Sequence, residues 1–502
     1  MIVTGAAALG AMWWSSQRAE VFDVPRRQVV VVVVVDTLRW DSLGVYGNTR
    51  RLTPTMDRLA ENGGVVFEHA YAASNHTYPS VASIMTGTYP TRHGFWGPYV
   101  RPERLPHNLA TALPDDVVTI LANGNPNTVD AYYSDFDFAW AAYPYPPSPF
   151  ADSVYFPATE VFGQAVALAA SAQWPDQLLI YVQPVDPHDP YFPLEHYPDL
   201  FVGDPLAETV SGRRGTPLSS LYWDENTDKL AEAELRNIRN RYDAEVRFTD
   251  KALGAFLDTL SGHYEDRVVI VTSDHGESFL DHDDASHGTS LYDEQIRIPL
   301  VVNDTRGRFG PSRLEPALVS HVDILPTVAE LFGAVVDVAM DGVPLREVVE
   351  QFSVLNPMGR RRTVVSEVVH STTVVDFDKL PSEFTALRSF KASPVNLLIR
   401  ANIDYARQGA FGDGLFKYIR NESRETTSVL RRFPSLYFQP HFSELFRLDQ
   451  DPGERHPLDN GRIARRISQR SPLADVFPSM GVRATPLSAE QLDRLRAVGY
   501  IR

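Results

Sequence analysis

The chain has 502 residues, 43% of them hydrophobic, which is enough to bury a large core and suggests more than one domain-sized unit. Its formal net charge is −17, with 47 basic against 64 acidic side chains. A nucleic-acid surface needs a concentrated positive face, so these numbers argue against nucleic acid as a partner. The absence of cysteine excludes disulfides, thiolate metal sites and a cysteine nucleophile.

The N-terminal segment Met1–Trp14 is apolar, but it lacks a preceding basic region and is too short for a full membrane span. Residues 1–27 are therefore expected to be either disordered or a weak hydrophobic anchor. A cytoplasmic protein is favoured, while this segment leaves membrane association and export open. The sequence also leaves the oligomeric state open.

The stretch Val29–Asp36 consists of seven consecutive valines followed by an aspartate. An unbroken β-branched run predicts a strand buried on both faces, as in the centre of a parallel sheet. Ligands of open α/β sheets bind beyond the carboxyl ends of the strands, which makes Asp36 a candidate site residue. An aspartate in this position can also simply cap the following turn.

A second candidate, Thr77, lies near the predicted start of a short helix. Thr53–Asn62 first predicts a helix that opens at a Thr-Pro pair. Pro79 then suits the first position of another helix and Gly87 its C-terminal cap. Thr77 would sit just ahead of that helix, where free N–H groups favour an anion, and its hydroxyl could act as a nucleophile or only as a cap.

The middle of the chain alternates between predicted loops and a buried strand. Residues 97–160 are rich in Pro, Tyr, Asn and Asp and predict a loop-dominated region that shapes the access of substrate. Leu178–Val182 predicts a second buried strand, which leads into a proline-stiffened loop that contains His188. Residues 199–228 are predicted to be a flexible insertion.

Lys229–Leu260 has apolar residues at helical spacing and predicts a long helix packed on the sheet. Val268–Ser273 predicts a third buried strand that delivers Asp274 and His275 to the same sheet edge, where both can converge on a metal ion. The acid- and histidine-rich loop that follows contributes His287.

Two further elements complete the predicted main domain. Pro299–Asn303 predicts a strand and His321–Gly333 a helix. The strand–helix alternation over residues 28–335 predicts an α/β fold with a large mixed, mostly parallel sheet sandwiched by helices.

After residue 340 the pattern changes to short β-rich runs, which predict a smaller antiparallel sheet. The predicted elements are Thr363–Val369, Phe384–Phe390, Leu415–Arg420 and Glu444–Leu448, with an amphipathic helix at Ser488–Tyr500. We therefore assign residues 28–340 to a catalytic domain and residues 341–502 to a C-terminal α+β subdomain.

Asp36, Thr77, Asp274 and His275 supply two carboxylates, a hydroxyl and an imidazole at neighbouring strand ends. This oxygen-rich set suits one divalent cation and favours Mn²⁺, Mg²⁺ or Ca²⁺, while the single imidazole also admits Zn²⁺. A metal beside Thr77 would lower the pKa of its hydroxyl and let it attack phosphorus or sulfur.

His188 and His287 remain as groups that could bind the non-bridging oxygens of the substrate or protonate the leaving group. A purely structural role for each of these histidines is an equal alternative.

Motifs in consistent order run from residue 28 to the end of the chain. They are Asp36-x-x-Arg39-Trp40-Asp41-x-x-Gly44, Pro79-Ser80-x-Ala82-Ser83-x-x-Thr86-Gly87, His188-x-Pro190-Tyr191, Ser273-Asp274-His275-Gly276-Glu277, His287-Gly288, Ile298-Pro299-Leu300 and Asp451-Pro452-x-Glu454. Together they resemble the sulfatase family of the alkaline-phosphatase superfamily. The resemblance implies a large α/β domain followed by a small antiparallel one, and metal binding at Asp36, Asp274 and His275.

The departures from this family bear on the chemistry. Thr77 stands where arylsulfatases have a cysteine or serine that matures to formylglycine, and Val81 stands where an arginine follows. The segment that grips sulfate is missing, with Asn123–Asn127 near its expected place. Thr37 replaces a frequent second metal-binding aspartate, and His275 stands where many members have asparagine.

A threonine nucleophile with an Asp-His pair is similar to the phosphoglycerol transferases that build lipoteichoic acid and to phosphodiesterases of the superfamily. The latter use two zinc ions and an Asp-x-x-x-His segment, whose nearest match here is Asp186-x-His188. This difference favours one metal ion.

We therefore predict a metal-dependent hydrolase or transferase in which Thr77 forms a covalent intermediate. The predicted substrate is a small-molecule, glycan or lipid ester, and a phosphoester or phosphodiester is favoured over a sulfate ester. Three alternatives stay open: a sulfatase that uses threonine directly, a catalytically inactive metal-binding member of the fold, and a membrane-tethered glycan or lipid transferase.

Overall fold

The computed structural model describes residues 26–96, 105, 107–125, 132–141, 156–191, 232–282, 285–288, 290–352, 361–371, 396–406, 414–421 and 443–473. No helix within these ranges is long and apolar enough to cross a membrane. The predictions for Met1–Trp14, residues 199–228, Phe384–Phe390 and Ser488–Tyr500 lie outside them.

The strands are β1 (Gln28–Val35), β2 (Gly64–Tyr71), β3 (Val118–Asn123), β4 (Phe138–Ala141), β5 (Gln177–Gln183), β6 (Arg267–Ser273), β7 (Ser278–Phe279), β8 (Ala285–Ser286), β9 (Leu300–Asp304), β10 (Arg313–Ser320), β11 (Arg361–Ser371), β12 (Asn396–Ala406), β13 (Gly414–Asn421) and β14 (Ser443–Arg447). The α-helices are α1 (Pro54–Glu61), α2 (Thr77–Thr86), α3 (Pro90–His93), α4 (Ala158–Ser171), α5 (Glu232–Ser261), α6 (Asp293–Ile296), α7 (Ile324–Leu331), α8 (Leu345–Phe352) and α9 (Gly461–Arg470).

Eight strands form one sheet in the order β10-β2-β9-β6-β1-β5-β3-β4. Strand β9 is antiparallel to both of its neighbours, and the other pairs are parallel. Strands β11 to β14 form a separate antiparallel sheet. The predicted mixed, mostly parallel sheet with a smaller antiparallel one is therefore confirmed.

Strand β1 lies at the centre of the large sheet, and its valines alternate between two hydrophobic cores. One core contains residues of α2, α7 and α8, and the other contains residues of α1, α4 and α5. The first core takes Val30, Val32 and Val34, and the second takes Val29, Val31, Val33 and Val35. Each buried valine contributes about 1.5–3 kcal/mol, so the strand is a major source of stability.

Polar contacts hold both ends of β1. At the amino end, Gln28 Nε2 donates to Gln177 Oε1 at 3.1 Å and to the Leu331 carbonyl at 3.0 Å. At the carboxyl end, the backbone N–H of Asp36 donates to the Pro184 carbonyl at 3.1 Å. These contacts fix where the strand begins and ends, and thereby where Asp36 lies.

Two predictions about local structure are corrected. The region 97–160 is not loop-dominated throughout, because Val118–Asn123 and Phe138–Ala141 form β3 and β4 of the large sheet. Both are short apolar runs flanked by acidic and amide residues, which hid them in the composition. Helix α2 begins at Thr77 rather than Pro79, with His76 in the extended N-cap position, so Thr77 is its first residue.

The antiparallel sheet contacts the main domain through an apolar cluster and a buried ion triad. Lys417 Nζ lies 2.8 Å from Asp293 Oδ1 and 2.5 Å from Glu454 Oε1, and the lysine side chain is fully buried. Asp293 begins α6, so the C-terminal sheet holds this short helix directly. The division at residue 340 stays a prediction.

Candidate active site

The carboxyl ends of β1 and β6 bring three predicted metal ligands together. The two strands are parallel neighbours, and Val35 pairs with Ser273, so Asp36 and Asp274 leave the sheet side by side. One ligand atom from each of Asp36, Asp274 and His275 lies within 4.8 Å of the others. His275 Nε2 is 3.5 Å from Asp274 Oδ2 and 4.0 Å from Asp36 Oδ1, and all three side chains are fully buried.

The two carboxylates have acceptor atoms that no described residue satisfies. Asp36 Oδ1 and Asp274 Oδ2 are buried without a hydrogen-bond donor from the described part of the chain. Burial raises the pKa of Asp36, and burial together with the charge of Asp36 raises the pKa of Asp274 well above its usual range. A divalent cation would neutralise both carboxylates and satisfy both oxygens, so these residues fit the predicted metal site.

Hydrogen bonds fix the other polar side-chain atoms of two predicted metal ligands, Asp274 Oδ1 and His275 Nδ1. Asp274 Oδ1 accepts from the backbone N–H of Thr37 at 3.1 Å and of His275 at 2.9 Å. The Nδ1 atom of His275 lies 2.9 Å from the Gly276 carbonyl oxygen. Because a carbonyl oxygen only accepts hydrogen bonds, Nδ1 carries the proton of the neutral ring and Nε2 carries the lone pair. Such outer contacts orient metal ligands and are part of the site.

Thr77 lies against this cluster. Its Oγ1 is 3.1 Å from His275 Nε2, and the side chain is fully buried. Because Nε2 carries the lone pair, the Thr77 hydroxyl donates in this contact. A metal ion bound by His275 would therefore lie close to the hydroxyl of Thr77, which is the first residue of α2.

His287 lies at the centre of a group of imidazoles. Its ring centroid is 4.4 Å from that of His275, 5.0 Å from that of His188 and 6.2 Å from that of His76. Burial lowers the pKa of His287 well below its usual range, with a further contribution from His188, and burial lowers the pKa of His76 to about 3. His76 and His287 are therefore neutral at pH 7, so each ring has one N–H donor and one lone pair.

Glu277 holds His287 from behind. The Nδ1 atom of His287 is 3.0 Å from Glu277 Oε1, and the Tyr191 hydroxyl donates to Glu277 Oε2 at 2.8 Å. Burial raises the pKa of Glu277 to about 8. This carboxyl is shared between a phenol and an imidazole, and it orients the ring next to His275 and His188.

All six predicted site residues lie at one edge of the large sheet. They are Asp36, Thr77, His188, Asp274, His275 and His287. Their placement together is a finding, whereas their roles in catalysis stay predictions.

Sequence reasoning missed two residues that touch this group. Asn125 Nδ2 donates to Asp36 Oδ2 at 2.9 Å, whereas the sequence marks Asn123–Asn127 only as the place of a missing family segment. Glu277 belongs to a noted motif, but nothing in the sequence pairs it with a histidine 10 residues later.

The family model described as Sulfatase matches residues 28–334. The chain belongs to the sulfatase family. The members and neighbours of the family that it resembles identify it as an ester hydrolase.

One relative in sequence and two solved structures illustrate the proteins to which this sulfatase-family chain is similar. The ulvan-active sulfatase of Formosa agariphila is 22% identical over 460 residues, which cover 89% of this chain and 79% of the relative. A protein solved in complex with its substrate D-glucosamine-2-N,6-O-disulfate is 16% identical with a TM-score of 0.62, covering 88% of this chain and 95% of the other. The phosphonate monoester hydrolase of Agrobacterium radiobacter is 20% identical with a TM-score of 0.59, and the match covers 88% of this chain and 94% of the hydrolase. The two structural likenesses establish the fold.

Proposed function

We propose that this sulfatase-family protein is a metal-dependent ester hydrolase or transferase that attacks its substrate with the Thr77 hydroxyl. The observation that carries the proposal is the 3.1 Å contact between Thr77 Oγ1 and His275 Nε2, inside a buried cluster with two carboxylate oxygens that lack donors. Asp36, Asp274 and His275 would hold one divalent cation, close to the Thr77 hydroxyl. When bound, that cation supplies positive charge that favours an ionised hydroxyl and stabilises charge on the transferred group.

The chain's own residues complete the reaction in two steps. Thr77 Oγ1 attacks the phosphorus or sulfur atom in line, which forms a threonyl ester and breaks the bond to the departing alcohol. Water or an acceptor alcohol then attacks the same atom and restores the free threonine. His188 and His287 handle the transferred group. One of them takes up the threonine proton, and as an imidazolium it binds a non-bridging oxygen and gives the proton to the departing oxygen; in the second step a proton of the incoming water or alcohol returns to Thr77 Oγ1 by the same route.

A phosphoester or phosphodiester is the favoured substrate, because threonine cannot mature to formylglycine and Asn125, at the place of the missing sulfate-gripping segment, is engaged with Asp36. A sulfate ester of a glycan is the second candidate. The relatives favour it, since they include an ulvan-active sulfatase and a protein solved with a disulfated glucosamine.

The test compares the parent with Thr77→Val and Thr77→Ser. Valine matches the shape of threonine without the hydroxyl, whereas serine keeps a nucleophile. Mn²⁺-loaded proteins are assayed on aryl sulfates, phosphate monoesters, phosphodiesters and phosphonates, and intact mass is recorded after rapid quenching. We expect turnover and a covalent adduct in the parent and in Thr77→Ser, and neither in Thr77→Val.

The outcomes separate the candidates. Turnover by Thr77→Val equal to that of the parent would remove the threonine mechanism. Faster turnover of aryl sulfates than of aryl phosphodiesters would select the second candidate. Mn²⁺ binding without any adduct or turnover would select a catalytically inactive member of the fold.

A further inference from the structure

Helix α6 is a single turn, Asp293–Ile296, that lies directly behind the candidate site. All four of its side chains are buried, and that of Gln295 is fully buried. The close fit is visible at Gly276, where a Cβ atom would lie 2.1 Å from the Glu294 carbonyl oxygen. The segment that carries the metal ligands therefore rests on the backbone of α6.

Gln295 bonds to three separate segments of the site. Its Oε1 atom accepts from Asn75 Nδ2 at 3.1 Å and from the backbone N–H of Ser290 at 3.2 Å. Its backbone carbonyl accepts from the N–H of Gly276 at 2.8 Å. Asn75 is two residues before the proposed nucleophile, Ser290 is three residues after His287, and Gly276 directly follows a proposed metal ligand.

Two of these segments are also bonded to each other. Asn75 Nδ2 donates to the Ser290 carbonyl at 2.6 Å, and the N–H of Gly288 donates to the Asn75 carbonyl at 3.0 Å. The side-chain oxygen of Gln295 closes this arrangement, because it is the acceptor that Asn75 and Ser290 share. All the groups involved are neutral, so the arrangement does not depend on a protonation state.

We propose that Gln295 is a positioning residue that fixes Thr77 and His287 relative to the metal ligands. This proposal rests on the proposed function and adds a residue that touches neither substrate nor metal. Its physical basis is that a reacting group displaced by about 1 Å can cost about 100-fold in rate. Loss of the shared acceptor frees the Asn75 amide and the Ser290 N–H, and the start of α2 then moves against the metal ligands.

Gln295→Met tests this role, because methionine is of similar length but offers only a weakly accepting sulfur to these two donors. The backbone carbonyl of residue 295 remains, so the Gly276 contact is kept. We expect kcat to fall by about 10- to 100-fold, with KM and the Mn²⁺ dissociation constant within about threefold of the parent.

Asn303→Leu is the matched control. Asn303 is a buried amide on β9 whose Nδ2 donates to the carbonyls of Leu59 and Asn62, both at 2.8 Å. Asn303 pairs with Val269 near the amino end of β6, opposite the edge that carries Asp274. Both variants remove a buried amide and at least two of its hydrogen bonds, so an effect of lost stability alone would appear in both. Equal kcat values in the two variants, per folded molecule, would overturn the proposal.

Hydrogen exchange provides a readout that does not need turnover. In the parent and in Asn303→Leu, we expect Mn²⁺ to slow backbone exchange over residues 75–80, since Gln295 couples this segment to the metal ligands. In Gln295→Met that protection should be lost, while protection over residues 274–277 persists. Unchanged protection of residues 75–80 in Gln295→Met would overturn the role of Gln295. A parent without turnover would instead refute the proposed function and leave the exchange result to decide on Gln295.

Discussion

Removing the Asn125 side-chain donor should weaken binding of a divalent cation at the proposed site, although none of the proposed ligands is changed. Asn125 donates to Asp36 Oδ2 at 2.9 Å, which leaves Oδ1 as the atom that faces His275 at 4.0 Å. In Asn125→Leu the buried Oδ2 atom loses this partner, so the carboxylate is less well oriented and its ionised form is less stable. Both effects oppose binding of a cation.

The magnitude follows from outer contacts of this kind. Substitution of a residue that orients a metal ligand typically costs about 10- to 100-fold in affinity, or about 1.4–2.7 kcal/mol. A buried acceptor that is left without a donor costs a similar amount of free energy, about 1–3 kcal/mol. We therefore expect the Mn²⁺ dissociation constant of Asn125→Leu to rise by at least about tenfold.

Isothermal titration with Mn²⁺ at pH 7.5 measures this change, and Asn108→Leu is the control. Asn108 is also fully buried and its Nδ2 donates to a carboxylate, Asp135 Oδ2, at 2.7 Å. Asn108 and Asp135 come before the amino ends of the parallel strands β3 and β4, whereas the proposed metal ligands follow the carboxyl ends of β1 and β6. A dissociation constant of Asn125→Leu within threefold of the parent, or an equal increase in Asn108→Leu, would refute the reasoning.

Three further predictions concern stability. Lys417→Met should lower the free energy of unfolding in urea by about 3–5 kcal/mol, because it leaves the Asp293 and Glu454 carboxylates buried without the lysine charge. Adding Asp293→Asn and Glu454→Gln should recover most of this loss, and a loss below about 1 kcal/mol in Lys417→Met would contradict the prediction. Burial raises the pKa of Asp250 from 3.8 to about 6. The folded state therefore binds this proton more tightly than the unfolded state does. Its stability should fall by about 2 kcal/mol as the pH rises from about 4 to 6, and by about 3 kcal/mol in total between a pH well below 3.8 and a pH well above 6. Asp250→Asn should show a correspondingly flatter profile, and identical profiles would refute the assignment. Finally, Mn²⁺ at 100 times its dissociation constant should stabilise the parent by about 2.7 kcal/mol in the same assay and leave Asp274→Asn unchanged, whereas equal stabilisation of both would exclude this site.

The sequence predicted the centre of the large sheet better than its margins. Strands β1, β5 and β6 are buried on both faces, so each appears as a continuous apolar run. Strand β10 was missed because it lies at the sheet edge, where charged residues and a proline interrupt the pattern. Only its last four residues, 317–320, are buried without interruption, which is too short a run to predict a strand.

The candidate site divides in the same way. Asp36 and Asp274 were predictable, because parallel strands present their carboxyl ends at one edge of a sheet. The contact of Asn125 with Asp36 spans 89 residues, and that of Gln295 with Asn75 spans 220. Such contacts depend on which loops meet after the sheet has formed, and neither amide has a motif that marks it.

The valines of β1 have a consequence for how the strand finds its place. Seven identical side chains carry no information about alignment, since a slip along β5 or β6 would again present valine to both cores. Alignment must therefore come from the ends, where Gln28 and Asp36 would both lose their partners. A slip of two residues would move Asp36 by about 7 Å, farther than the span of the whole ligand cluster. A bound cation would accordingly stabilise the correctly aligned strand relative to every shifted one, so metal binding would also select the native register of β1 in the sheet.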